Sequence, residues 1–288
     1  MNGHTGRMRF GLFLPPFEDF AEPERVVQLA RTAEESGWDG FFLWDHMLVQ
    51  PGMAVADSWV TMAAVASATR RIRIGALVTP LARRRPWVLA RQIATLDRLS
   101  NGRLVVGVGL GDDGWKEFSS FGEVTDRKLR GEVLDEALEL LQRLMSGEPV
   151  KFTGEHFTVD ATPFLPRPVQ EPIPIWVACR WPNRRPLARA AKLHGCFPIF
   201  PAADPPPPPD PDDVRALRRQ LEELGAGPGF ELVIRYAVPA EGSGRPETLA
   251  ELAAAGATWV LASFGPGQPA AEVEEIVRRG PSSYSSPV

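Results

Sequence analysis

The sequence has few of the features that mark several protein classes. It contains only two cysteines, Cys179 and Cys196, and no CxxC pair, so we do not expect a disulfide framework. No apolar run approaches the roughly 20 residues of a membrane-spanning helix. The first ten residues, MNGHTGRMRF, lack the apolar stretch of a secretory signal. We therefore predict a cytoplasmic protein with reduced thiols and no membrane segment.

The charge is modest as well. A net charge of −4 and an isoelectric point of about 5.7 argue against a general nucleic-acid-binding protein, because such proteins are usually basic. With 44% hydrophobic and 24% charged residues, the composition is that of an ordinary soluble globular protein. The chain is long enough to bury a large core. The expected partner is a small-molecule substrate rather than a nucleic acid or a membrane.

Short apolar runs alternate with longer amphipathic segments along the whole chain, which indicates strands followed by helices. The predicted strands cover residues 9–14, 40–44, 72–79, 104–108, 173–178, 195–200, 230–238 and 258–262. The predicted helices cover residues 22–36, 57–69, 86–100, 126–145, 211–224, 246–255 and 270–279, and one more begins near residue 185. Several begin at an aspartate or a proline, both of which favour helix starts.

Eight strand–helix pairs are what a closed parallel barrel requires. We predict an α/β fold, a (β/α)8 TIM barrel, formed by residues 8–280 as a single domain. An open, doubly wound sheet is the alternative, but it favours a glycine loop after its first strand, where this chain has Pro15-Pro16-Phe17. An insertion at 147–172 carries extended pieces, and a polyproline loop lies at 204–211. Residues 1–7 and 281–288 are predicted to be flexible tails.

In such a barrel the functional residues follow the C-terminal ends of the strands. Asp45 and His46 follow the second strand. A histidine can act as acid or base near neutral pH, and an adjacent carboxylate can orient it, although a plain loop histidine is the alternative. Asp112 follows the fourth strand and is another candidate acid or base. Asp112 and Asp113 could contribute to a metal site, but no His or Cys lies at ligand spacing, so we predict none.

Glycines and arginines supply the other candidates. Gly107, Gly109 and Gly111 form a GxGxG run, a weak dinucleotide signal, and would let a flat ring approach the backbone closely. After the third strand come Arg83, Arg84 and Arg85, which could pair with an acidic group of cofactor or substrate, or form a solvated charge run. A predicted phosphate-binding corner follows the fifth strand, with the residues Cys179, Arg180, Arg184 and Arg185.

Several motifs resemble the luciferase-like flavin oxidoreductases. They include Gly37-Trp38-Asp39-Gly40, Trp44-Asp45-His46 and Asp57-Ser58-Trp59. The most specific stretch runs from residue 95 to residue 111, with the sequence TLDRLSNGRLVVGVGLG. The resemblance extends over about residues 8–280.

This resemblance implies an oxidoreductase whose flavin-type cofactor lies across the C-terminal mouth of the barrel. The Asp-His pair is more similar to the branch that uses the deazaflavin coenzyme F-420, so F-420 is favoured and FMN is the alternative. In that branch, the residue matching His46 moves a proton beside the reactive ring, and Asp112 matches an acidic residue. A non-prolyl cis peptide supports the ring, at Ala76–Leu77 or one bond later. Family members are commonly dimers, which makes a homodimer possible.

One segment departs from the family pattern. Glycines that hold the cofactor phosphate are replaced here by Ala178-Cys179-Arg180-Trp181, so arginine would have to supply the phosphate contact. Trp59 is a candidate for the wall of the substrate pocket, although tryptophan is more often core packing.

We therefore predict hydride transfer between coenzyme F-420 and a small organic substrate, with His46 moving the proton and Asp45 or Asp112 assisting. Two alternatives stay open. One is a monooxygenase that uses reduced FMN and dioxygen. The other is a non-catalytic barrel that acts as a binding protein, which the altered segment after the fifth strand would suit.

Overall fold

The computed structural model describes residues 7–200, 207–237 and 246–281. Most of the two predicted tails, residues 1–6 and 282–288, therefore lies outside the described residues. The same holds for residues 204–206 of the predicted polyproline loop. No helix in the described ranges is long and apolar enough to cross a membrane.

Strands and helices alternate in the predicted order, and their bounds differ from the prediction by at most three residues, mostly at strand ends. The strands are β1 Arg9–Leu14, β2 Gly40–Leu43, β3 Arg73–Ala76, β4 Thr79–Pro80, β5 Val106–Gly109, β6 Val150–Thr153, β7 Thr158–Ala161, β8 Ile175–Arg180, β9 Gly195–Ile199, β10 Glu231–Ala237 and β11 Trp259–Ser263. The α-helices are α1 Pro23–Glu35, α2 Ser58–Ala68, α3 Pro86–Leu99, α4 Arg127–Met145, α5 Arg184–Ala190, α6 Pro211–Glu223, α7 Pro246–Ala254 and α8 Ala270–Arg279.

The helices begin where the sequence offers a cap. Asp57 accepts a hydrogen bond from the Val60 N–H at 2.8 Å, and Asp126 accepts one from the Leu129 N–H at 2.7 Å. These carboxylates satisfy backbone donors that the first helical turn leaves without a partner. Helices α1, α3 and α6 begin instead at a proline, whose missing N–H costs nothing at that position.

The predicted third strand is where the barrel closes. The structure divides residues 72–79 into β3 and β4, and the residues between them are Leu77 and Val78. β3 pairs with β2, whereas β4 pairs with β5. The parallel strands follow the order β3-β2-β1-β11-β10-β9-β8-β5-β4, so the two ends of the sheet belong to one continuous segment. The strands form a ring of eight, which confirms the (β/α)8 barrel and excludes the open doubly wound sheet.

Two details of the prediction need correction or completion. The non-prolyl cis bond is Leu77–Val78, so Ala76–Leu77 was the wrong choice and the bond one residue later is the right one. The insertion at 147–172 contains an antiparallel hairpin, formed by β6 and β7.

The inside of the barrel is filled by alternate residues of the strands, because successive side chains of a strand point to opposite faces. Trp176 and Trp259, at the starts of β8 and β11, pack with Phe42 in the barrel interior. Glu231 lies among them and accepts hydrogen bonds from the indole N–H groups of Trp176, at 2.8 Å, and Trp259, at 3.1 Å. Towards the C-terminal ends, Phe13 continues the same interior cluster. The packed interior therefore ends at the mouth of the barrel.

The turn between α3 and β5 is held by a buried arginine. Arg103 donates to the carbonyl oxygens of Ser100, Ile72, Ala66 and Thr69 and to the Thr69 hydroxyl, at 2.7–3.1 Å. These acceptors belong to the ends of α2 and α3 and to the segment before β3. Arg103 thus joins three consecutive elements of the barrel wall.

The insertion is attached through a second buried residue of the same stretch. Asp97 accepts hydrogen bonds from the backbone N–H of Val169 at 2.7 Å and of Gln170 at 2.9 Å. The Gln170 side chain donates to the other carboxylate oxygen at 2.7 Å. The first half of the most specific family motif, residues 95–111, therefore contributes contacts that hold the barrel wall and the insertion in place.

We expect Arg103→Lys to lower the free energy of unfolding by about 3 kcal/mol, because one ammonium cannot replace the divergent N–H groups of a buried guanidinium. Denaturant unfolding followed by circular dichroism measures this change. Arg98→Lys, on the exposed face of α3, is the matched control and should change stability by less than about 0.5 kcal/mol. Equal effects of the two substitutions would contradict the role assigned to Arg103.

Candidate active site at the C-terminal mouth of the barrel

A cavity of about 680 Å³ opens at the C-terminal ends of the strands. Its floor is apolar and includes Phe13, Leu77 and Phe197, the last packed layer of the barrel interior. His46 and Trp115 form part of the wall. This is the end of the barrel at which the sequence analysis placed the functional residues, and the size suits an organic cofactor with a small substrate.

His46 is held by a carboxylate that the sequence analysis did not select. The His46 Nδ1 lies 2.8 Å from Oε2 of Glu117. The Trp115 ring packs edge-on against the imidazole, with 4.9 Å between ring centroids. The centroids of the Trp44 and Phe17 rings lie 5.8 and 6.0 Å from the imidazole centroid. An ionised carboxylate on Nδ1 favours the tautomer that carries the proton there, which leaves Nε2 for chemistry.

Glu117 is buried and fully engaged. Its Oε1 accepts hydrogen bonds from the Met47 N–H at 2.6 Å and from Nη1 of Arg83 at 3.1 Å. Burial would raise the pKa of this carboxyl, but the His46 hydrogen bond, the Met47 N–H and the Arg83 charge outweigh it and lower the pKa below its ordinary value. Glu117 therefore stays ionised at neutral pH and keeps His46 oriented.

Asp45, the expected assistant of His46, has its carboxylate bonded elsewhere. It accepts hydrogen bonds from the Thr79 hydroxyl at 2.8 Å, from Nη2 of Arg84 at 2.8 Å, and from the Trp59 indole N–H at 3.3 Å. The residue is 4% exposed. Its contacts tie the loop after β2 to β4 and α2. Asp45 also lines the cavity beside His46, and its assisting role stays a prediction.

Two of the three arginines after β4, like Asp45, bond to other groups of the protein. Arg83 pairs with Glu117 and donates to the Asp45 carbonyl at 3.1 Å, and Arg84 pairs with the Asp45 carboxylate. Both guanidinium groups therefore compensate carboxylates of the protein, where an acidic ligand had been expected. Arg85 is exposed and packs over Trp87, 5.9 Å from the ring centroid. Trp59 is buried and belongs to the outer core, the alternative considered for it.

Two of the three glycines of the GxGxG run, Gly107 and Gly109, lie within β5 and pack closely against the neighbouring chain segment. A side chain at Gly107 would place its Cβ 2.5 Å from the Ala76 carbonyl oxygen, and one at Gly109 would meet Val78 at 2.7 Å. Both glycines make room for the segment between β3 and β4, and neither is among the residues that line the cavity. Gly111 has a positive φ of 72° and lines the cavity.

Ala76 and Leu77 were both predicted to contact the cofactor, but they lie in different parts of the structure. Ala76 is 3% exposed and packs in the outer core, between the barrel and its helices. Leu77 belongs to the interior cluster and lines the cavity. Of the pair, only Leu77 is placed to contact a ligand.

Arginines form one rim of the cavity, as the predicted phosphate corner requires. Arg180 pairs with Asp112 at 2.9 Å, and both side chains are about half exposed. Arg185 and Arg189 both pair with Asp135. Burial would raise the Asp135 pKa, but the hydrogen bond and charge of Arg189, reinforced by Arg185, lower it.

Two further arginines line this rim, whereas Cys179, which was predicted to belong to it, does not. Arg184 and Arg127, the first residues of α5 and α4, also line the cavity. Cys179 is fully buried, with its sulfur 3.3 Å from the Pro186 carbonyl, so it faces the helix layer and not the cavity.

Several charged and aromatic residues of the cavity were not predicted, among them Trp115, Glu117, Arg127, Arg189 and Arg235. None of them directly follows a strand end, and Arg235 lies inside β10, which was predicted only as an apolar strand. Glu117 could have been suspected as an acidic residue in the loop after the GxGxG run. Among the described residues, no three His, Cys, Asp or Glu side chains are grouped to hold a metal ion.

Because Glu117 titrates below its ordinary pKa in the folded protein, its ionisation stabilises the fold above about pH 5, and this contribution is lost as the pH falls further. We expect Glu117→Gln to be less stable than the wild type at pH 7 by roughly 1–3 kcal/mol. The difference should shrink towards pH 3. Denaturant unfolding between pH 3 and pH 7 measures it, with Glu139→Gln, on the exposed face of α4, as the control. A difference that stays constant with pH would refute the assignment.

Comparison with curated proteins gives partial matches. An F-420-dependent glucose-6-phosphate dehydrogenase from Nakamurella multipartita is 34% identical over 192 residues, which are 63% of this chain and 53% of that protein. A protein of the same name from Amycolatopsis mediterranei is 33% identical over 163 residues, 56% of this chain and 49% of that one. The chain thus spans about half the length of these curated relatives.

Solved structures share the fold over almost the whole chain. An F-420-dependent secondary alcohol dehydrogenase superposes with a TM-score of 0.76 at 18% identity, covering 96% of this chain and 99% of that one. A monooxygenase from Streptomyces bottropensis gives 0.74 at 23% identity, covering 94% and 97%. The family described as luciferase-like monooxygenase matches residues 8–238. This chain belongs to the luciferase-like monooxygenase family.

Proposed function

We propose that this protein is an oxidoreductase that holds a flavin-type cofactor in the cavity and transfers a hydride between it and a small organic substrate. The observation that carries the proposal is the position of His46. The imidazole forms part of the wall of a cavity with an apolar floor and an arginine rim. Glu117 orients the imidazole through the hydrogen bond to Nδ1. Coenzyme F-420 is favoured over FMN, because both curated relatives above are named as F-420-dependent.

The side chains present fit such a cofactor. Leu77, Val78 and Ala178 offer an apolar surface to a planar ring system. Arg184 and Arg185 would hold a phosphate, in place of the glycines that the family uses there. Arg127 and Arg189 extend the cationic rim and would suit the acidic tail of coenzyme F-420, which FMN lacks.

The bound cofactor would supply the hydride chemistry, and the chain would supply position and proton transfer. Glu117 accepts a hydrogen bond from the Nδ1–H of His46, so Nε2 is the atom that takes a proton from a substrate hydroxyl or returns it to a carbonyl. Trp115 restricts rotation of the imidazole by packing against its edge. Asp45 acts through the Arg84 and Thr79 contacts that fix the loop bearing His46.

Three sequence-based expectations stay predictions: the single domain over residues 8–280, the homodimer and the cytoplasmic location.

We expect the purified protein to bind coenzyme F-420 more tightly than FMN in titrations that follow ligand fluorescence. Arg184→Met combined with Arg185→Met should weaken F-420 binding at least about tenfold, because two charge-assisted contacts are lost. Arg143→Met, whose ion pair with Glu139 is exposed on α4, should leave it unchanged. Selective FMN binding with cofactor-dependent oxygen uptake would favour the monooxygenase. Binding of neither cofactor would favour the non-catalytic barrel.

The proton-transfer role of His46 has a separate test. With saturating coenzyme F-420, and glucose 6-phosphate as the first substrate assayed, we expect His46→Asn to lower kcat by about 10²–10⁴-fold. The cofactor Kd should change little, since the imidazole is assigned to proton transfer and not to binding. His194→Asn is the control, because His194 hydrogen-bonds the backbone N–H of Ile175. Unchanged turnover in His46→Asn would remove the histidine from the mechanism.

A further inference from the structure

The loop between β5 and α4 carries Glu117, and a buried aromatic residue anchors it. Phe118 follows Glu117 directly and is 1% exposed. Its backbone N–H donates to Oδ1 of Asp113 at 2.8 Å. Gly111 leaves room for the ring, because a Cβ at that position would lie 2.6 Å from Cζ of Phe118. The ring therefore fills a closely fitted space directly beside Glu117.

Two arginines pack over the Phe118 ring. The guanidinium carbon of Arg130, near the start of α4, lies 4.4 Å from the ring centroid, and that of Arg83 lies 5.6 Å from it. Aromatic faces attract cations at such distances. Arg83 is also the ion-pair partner of Glu117, at 3.1 Å. Contacts therefore run continuously from α4 to His46, through Phe118, Arg83 and Glu117.

Arg130 is buried at a cost that packing alone does not explain. It is 2% exposed, and among the described residues its Nε and Nη1 have no hydrogen-bond partner. Burial, together with the charge of Arg127, lowers the pKa of the guanidinium, although the charges of three nearby aspartates act in the opposite direction. An apolar side chain would fill the same space without the cost of a buried cation. Its presence indicates a role in the site, and the observed contact that can supply one is with the Phe118 ring.

We propose that Phe118 is a positioning residue for His46 and that Arg130 holds Phe118 in place. The ring fixes both the loop and Arg83, which together keep the Glu117 carboxylate at Nδ1 of the imidazole. A smaller side chain at position 118 would let the carboxylate move, and Nε2 of His46 would lose its orientation in the cavity. The catalytic consequence rests on the proposed function, whereas the His46–Glu117 hydrogen bond can be measured without cofactor.

The first experiment follows the Nδ1–H proton of His46 by NMR in cofactor-free protein with isotope-labelled histidine, of which the chain has only four. We expect Phe118→Leu to speed the exchange of this proton with water at least about tenfold, because the hydrogen bond from Nδ1 opens more often. Arg130→Met should speed it about three- to tenfold, and Arg130→Lys, which keeps a cation for the ring, less than about threefold. Phe152→Leu on β6 is the matched control, because this ring is also buried and also has an arginine over it, at 5.2 Å.

The second experiment is a double-mutant cycle on kcat, with saturating coenzyme F-420 and glucose 6-phosphate. If Phe118 acts through Glu117, Phe118→Leu should lower kcat about tenfold in the wild type but less than about twofold in Glu117→Gln protein. The F-420 Kd should change less than about twofold, because neither residue belongs to the arginine rim. A ring with a merely structural role would cause the same loss of kcat in both backgrounds.

Unchanged exchange in both Phe118→Leu and Arg130→Met would overturn the proposal. Equal acceleration in Phe152→Leu would also overturn it, because the effect would then be a general loosening of the fold, and so would equal losses of kcat in the two backgrounds. If the wild type binds no cofactor, the proposed function fails, and the exchange experiment then tests Phe118 by itself. If Phe118→Leu does not fold, the comparison of Arg130→Met with Arg130→Lys decides.

Discussion

The mouth of this barrel depends on the compensation of two buried carboxylates. Asp45 and Glu117 are 4% and 3% exposed, and a carboxylate in such surroundings is costly unless it is paired and hydrogen-bonded. Arg83 and Arg84 supply the charges, and the two arginines come from the segment directly after β4. The loops after β2, β4 and β5 are thereby joined into one ionic cluster. His46 owes its orientation to this cluster, because its ring is held by the same Glu117 that pairs with Arg83.

Most of the fold could be predicted because its signals are local. Strand β1 and helix α8 were predicted with the bounds that the structure has, since apolar runs and amphipathic spacing lie within a few consecutive residues. The strand over 72–79 was harder. Its two halves pair with different neighbours, β2 and β5, and pairing is a property of the closed ring that no local pattern encodes. Of the two bonds that the family resemblance implied for the cis peptide, the later one, Leu77–Val78, is the cis bond in the structure.

The site was predicted less well, and the errors share a cause. Strand ends located His46 and Arg180–Arg185 correctly at the mouth, because position after a strand determines which end of the barrel a loop occupies. Position does not determine which carboxylate reaches which cation. Asp45 is adjacent to His46 in sequence, but a neighbouring residue's side chain points elsewhere, and the imidazole meets Glu117 across the mouth. Gly107 and Gly109 resembled a ligand-binding run, yet their lack of side chains accommodates the protein's own backbone and Val78.

The arginines at or near the mouth can be separated by what surrounds them. Arg83 and Arg84 face protein carboxylates at low exposure and hold the loops together. Arg180 and Arg185 form ion pairs whose partners are about half exposed, and such pairs contribute little to stability, so a ligand phosphate can replace the partner at small cost. Exposure of the paired carboxylate, and not the number of arginines, therefore distinguishes a cation that maintains the fold from one that is available to a ligand.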